Sequence, residues 1–108
     1  MNQPNFIEHK EEERVFTIPE MVMMGDETIE DFLHRERDTI NRAILVAINL
    51  MIDLDKDTVP VFAIDEVDCI FNLSREEAKS NIEKYVSYFT EIEDYETCVI
   101  LINLKSKL

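Results

Sequence analysis

Apolar positions along the chain change their spacing several times, and each change marks an element. Val15, Phe16, Thr17 and Ile18 form a short β-favouring run that stops at Pro19, which predicts an edge strand over residues 14–18. Thr28-Ile29-Glu30-Asp31 then offers a capping hydroxyl with a carboxylate three residues on, the signature of a helix start. From there apolar residues recur at Ile29, Phe32, Leu33, Ile40, Ala43, Ile44, Ala47, Ile48, Met51 and Ile52. That spacing keeps one stripe facing a core for about seven turns and predicts a long helix over residues 28–52. Its first half is wet, with His34, Arg35, Glu36, Arg37 and Asp38, whereas residues 43–52 are apolar nearly all round. The second half is therefore either a central helix wrapped by the others or a homodimer surface.

Asp53, Asp55 and Asp57 end that helix, and Pro60 stands where the first turn of a new one tolerates a missing N–H. Val61, Phe62, Ile64, Val67, Ile70 and Phe71 fit helical spacing better than alternation, so residues 60–71 are expected as a helix, with 59–62 allowed to be extended. Ser74-Arg75-Glu76-Glu77 is a capping box opening a further helix over 74–88, with Ala78, Ile82, Tyr85, Val86 and Phe89 on its apolar face. The tail, residues 97–104, is β-branched and continuously apolar, which suits a strand buried on both faces and able to pair with residues 14–18. Glu91 to Glu93 would form the first arm of a hairpin leading into it. Residues 1–12, with Pro4 and an acidic cluster but no periodicity, are expected to be a mobile leader. The fold class expected is thus α+β and mainly helical, one compact domain over residues 13–108.

The segment from Ile64 to Ile82, with Asn72 in the turn position and Leu73 beneath it, resembles a helix-turn-helix, and with the flanking strands it is similar to a winged-helix arrangement. The resemblance implies a transcriptional regulator acting as a dimer, with Arg75, Lys79, Ser80 and Lys84 on the DNA-reading face. Charge argues against carrying the DNA role along with the fold. That face also holds Glu76, Glu77 and Glu83, and the would-be wing holds Glu91, Glu93, Asp94 and Glu96 where phosphates would lie.

The whole composition points the same way. In 108 residues, 24 acidic side chains face 11 basic ones, for a formal charge of −13. Such a surface repels nucleic acid and anionic membranes and attracts basic proteins, besides keeping the chain soluble. Gly25 is the only glycine, which excludes phosphate-cradling loops and nucleophile turns that need positive φ. Cys69 and Cys98 form no CxxC pair and follow no signal peptide, so both are expected reduced, in the cytoplasm. The longest apolar run is about half the length that spans a bilayer.

Reactive constellations are thin. His9 falls in the leader and His34 on a wet helix face, neither beside a nucleophile, so no catalytic residue, metal site or cofactor is expected. Asp53, Asp55 and Asp57 resemble the opening of a calcium loop, but Thr58 or Val59 falls where glycine or a ligand is required. The function expected is a non-enzymatic, acidic protein-binding module in the manner of inhibitors, immunity proteins, antitoxins or phage host-interference proteins. Its contact residues would be Asp53, Asp55, Asp57, Asp65, Glu66 and Asp68, or Tyr88, Glu91, Glu93, Asp94, Tyr95 and Glu96, where an aromatic anchor sits in an acidic rim. A structural oligomer subunit is the third alternative.

Overall fold

The computed structural model describes residues 5–65 and 69–108. Its elements run β1 (Asn5–Glu11), β2 (Arg14–Met21), α1 (Ile29–Arg35), α2 (Arg37–Asp53), β3 (Thr58–Ile64), β4 (Cys69–Ser74), α3 (Arg75–Glu91) and α4 (Tyr95–Lys105). The four strands form one sheet in the order β1-β2-β3-β4. β1 pairs with β2 and β3 with β4 antiparallel, whereas β2 and β3 run parallel. A tight turn cannot connect parallel neighbours, so α1 and α2 together make the crossover between them.

This mixed sheet overturns the expected fold of a long helix with a helical pair and short terminal strands. Of residues 60–71, expected as the first helix of the pair, 60–64 lie in β3 and 69–71 in β4; residues 66–68, Val67 among them, lie outside the described residues. Val59 through Ile64 are all buried, and a strand covered on both faces shows a continuous apolar run in place of alternation. Val61, Phe62 and Ile64 consequently imitate a helical stripe. The tail expected as a strand is α4. Thr97, Cys98, Leu101 and Leu104 recur at helical spacing and are buried, and Asp94 caps the helix by accepting the Thr97 N–H at 3.2 Å. Glu91 closes α3 and is no hairpin arm. The expected leader carries β1 from Asn5 onward, laddered to β2 from Asn5↔Glu20 to Glu11↔Arg14. β2 itself is an inner strand that continues through Pro19. Its parallel ladder to β3 begins only at Glu20↔Ala63, just past the residue that has no N–H to give.

The capping boxes lie where the sequence puts them. Thr28 with Asp31 opens α1, and Ser74 with Glu77 opens α3. The expected long helix is interrupted at Glu36, whose φ of −97° and ψ of 14° separate α1 from α2. Arg35 reaches back to the Glu27 carboxylate at 2.7 and 2.8 Å and to the Val22 carbonyl at 2.9 Å. These bonds, with Phe32 wholly buried, hold α1 against the preceding connection. Beyond the break, α2 packs on β3 and touches α3 and α4, and α3 lies along α4.

Two helices end on Schellman turns without glycine. After α2 the Asp55 N–H donates to Ile52 O and the Lys56 N–H to Met51 O, with Asp55 at φ 51°. After α3 the Glu93 and Asp94 N–H groups do the same to Thr90 O and Phe89 O, with Glu93 at φ 62°. An L-residue in this left-handed region costs roughly 1–2 kcal/mol. Asp55→Gly is therefore expected to raise stability by about 1 kcal/mol, read as a higher urea midpoint at unchanged slope. Loss of the exposed contact to Arg75 should subtract little.

Candidate functional site

The corner where α3 turns into α4 is held to α2 by a chain of polar contacts at the surface. Tyr88 of α3 donates its hydroxyl to one oxygen of Asp38 on α2. The other Asp38 oxygen accepts from Arg42 Nε at 3.0 Å, and Arg42 lies 3.7 Å from Asp94. The Arg42 guanidinium also covers the Phe89 ring at 5.5 Å. Asp94 further accepts from the Thr97 hydroxyl at 2.8 Å. The Thr97 side chain, then its backbone N–H, hold the Asp94 carboxyl below its ordinary pKa.

Partial burial, then the hydrogen bond to Asp38, pushes the Tyr88 phenol up to about 12 from an ordinary 10.0. A raised pKa in the fold means that folding favours the protonated phenol. Its contribution is complete below pH 10 and is lost as pH climbs through about 12. Urea denaturation between pH 9 and 12 should show this loss in the native protein and a weaker slope in Tyr88→Phe.

Tyr88 and Asp94, both half-buried, brace the corner, while the residues around them are exposed. Glu91, Glu93, Tyr95 and Glu96 are all exposed and are brought together at one end of α4. Along the outer side of that helix Tyr95 is 59 %, Val99 57 % and Ile102 56 % exposed. Their spacing of four and three residues makes one continuous stripe. Ile92 and Ile100, also exposed, flank it. A helix apolar on nearly every side is normally covered on every side. Here the fold covers only Thr97, Cys98, Leu101 and Leu104. Tyr95 and the acids are legible in the sequence, whereas Val99 and Ile102 are not, because their β-branched run reads as a strand. Their helical interval from Tyr95 was the available signal.

Among the described residues, the other expected patch is split by β3. Asp53, Asp55 and Asp57 precede β3, whereas Asp65 follows it, so a seven-residue strand separates them by roughly 20 Å. Asp55 and Asp57 face Arg75 at 3.6 and 3.7 Å. Glu66 and Asp68 lie outside the described residues. Of the stretch 43–52 suggested as a homodimer surface, only Val46 is exposed, the rest being buried or half-buried by the chain's own elements.

No family model, curated protein or solved structure matches this chain.

Of the residues assigned to DNA reading, Arg75 turns away from solvent to the Met51 and Lys56 carbonyls at 3.2 and 3.3 Å. There it serves the C-terminal end of α2, whose partial negative charge attracts a cation. Lys79, Ser80 and Lys84 are exposed on α3, beside the equally exposed Glu76 and Glu83. Among the described residues no helix is long and apolar enough to cross a membrane.

Proposed function

We propose that the chain is a non-enzymatic binding module that docks a basic protein through the outer face of α4 and the acidic α3–α4 corner. The supporting observation is the exposed stripe of Tyr95, Val99 and Ile102 continuing into the rim of Glu91, Glu93 and Glu96. An apolar centre with an aromatic anchor supplies affinity, and a charged rim supplies steering and selects partners of opposite sign. This is the working of small acidic inhibitors, immunity proteins, antitoxins and phage host-interference proteins. The free thiols of Cys69 and Cys98 suit a cytoplasmic setting.

The rival reading, a winged-helix DNA-binding regulator, has less support. Its cations reduce to Lys79 and Lys84 once Arg75 is committed to α2, too few to neutralise phosphates across a groove. Affinity capture from lysate at low and high salt tests the proposal. The expected outcome is one or a few basic proteins whose recovery falls as salt rises. Recovery of nucleic acid, or of no protein dependent on the α4 face, would refute it.

A further inference from the structure

A second feature, distant in character from the acidic corner, is a cleft between α2 and the sheet. It encloses about 250 Å³, compared with roughly 150 Å³ for an engineered apolar cavity that takes up benzene. The sequence builds it from two sides. On the sheet, Pro19 of β2 and Pro60 of β3 line the space, and the parallel ladder between these strands is confined to Glu20↔Ala63 and Met21↔Ile64. Proline cannot donate to a ladder, so the strands are free to part below that point. On α2, the small side chains of Ala43 and Ala47 face the gap, one turn apart, where larger residues would fill it. Phe6 and Val46 also line the cleft and are 60 % and 54 % exposed, so the cavity opens to solvent between them.

The charged groups at the cleft, Asp38 and Arg42, are about half-exposed and pair with each other at 3.0 Å. Asp38 is paired with Arg42 and bonded by Tyr88, and Arg42 lies against Asp94 as well. The charges of Asp38 and Arg42 largely cancel, so a charged ligand would lose its hydration against the apolar walls with no net opposite charge to offset the cost. An uncharged ligand meets apolar walls and, outside the Asp38–Arg42 pair, only the hydroxyls of Thr17 and Thr39 as polar side-chain groups. We infer that this cleft binds a small uncharged molecule, an aromatic or short alkyl body somewhat larger than benzene carrying no more than one hydroxyl or N–H.

Indole is a suitable probe and indole-3-acetate its charged counterpart, both followed by amide chemical shifts in the full chain. Indole should give saturable shifts centred on Ala43, Val46, Ala47 and Val61, with a Kd on the order of 1 mM or tighter for a ligand of this size. Indole-3-acetate should bind at least tenfold more weakly. Val46→Trp, which fills the mouth from an exposed position, should weaken indole at least tenfold without lowering the melting temperature. Phe6→Ala, which removes the opposite lip, should weaken it as well. Absence of saturable shifts, equal affinity for the two probes, or full binding by folded Val46→Trp would each overturn the inference.

Discussion

Replacing Phe89 by alanine is expected to destabilise the fold by about 3–5 kcal/mol, the range for truncating a fully buried aromatic side chain. Phe89 has no exposed surface and lies where three helices meet. Arg42 of α2 covers its ring, Tyr88 packs edge-on at 5.0 Å, and its carbonyl receives the Asp94 N–H that starts α4. Truncation would open a cavity beneath Arg42 and loosen the turn that carries Glu91, Glu93 and Tyr95. A domain of this size has only about 5–15 kcal/mol in total, so the variant should melt roughly 15 °C or more below the parent. Thermal unfolding followed by far-ultraviolet circular dichroism measures this. A fall of a degree or two would mean that α3 and α4 are not docked on α2 as described.

The second large effect concerns binding. Val99→Asp combined with Ile102→Asp is expected to weaken the basic partner by about 100-fold or more, or nearly 3 kcal/mol at 1.4 kcal/mol per tenfold. Two buried apolar contacts would be lost and two carboxylates left desolvated at the centre of the interface. Stability should fall by no more than about 1–2 kcal/mol, because both side chains are more than half exposed in the free chain and the main added cost is a carboxylate in the last turn of α4. Charge reversal at Glu91, Glu93 and Glu96 should behave differently. It would slow association and flatten the salt dependence while leaving dissociation nearly unchanged, as expected of rim charges.

Much of the helical frame is legible in the sequence because its signals are local. The hydroxyl–carboxylate pairs Thr28/Asp31 and Ser74/Glu77 mark helix starts within four residues, and the apolar stripes of α2 and α3 need no distant partner to be seen. The sheet is less legible because its pattern is set by what covers it. β3 is buried from Val59 to Ile64, which removes the alternation that would have named it a strand. β1 has the opposite difficulty. Ile7, His9 and Glu11 are its half-buried positions, too polar to register as an apolar face, and its existence depends on the ladder to β2.

α4 shows where propensity misleads. Val99, Ile100 and Ile102 favour strands on average, but helix formation here is decided by the Asp94 cap and by burial of Cys98, Leu101 and Leu104 at helical spacing. The same misreading hid the candidate site. A strand covered on both faces leaves no exposed side to bind with, whereas a helix covered on one side leaves a stripe. The acids and Tyr95 were legible as composition; the surface that unites them was not.

The outer face of α4 can be tested as a contact surface by photo-crosslinking in lysate, with a photoreactive aromatic amino acid placed at Val99 in one variant and at Glu30, on α1, in another. Adducts with a basic protein from position 99 and none from position 30 are the predicted result. Adducts from position 30 alone, or equal labelling from both, would contradict it.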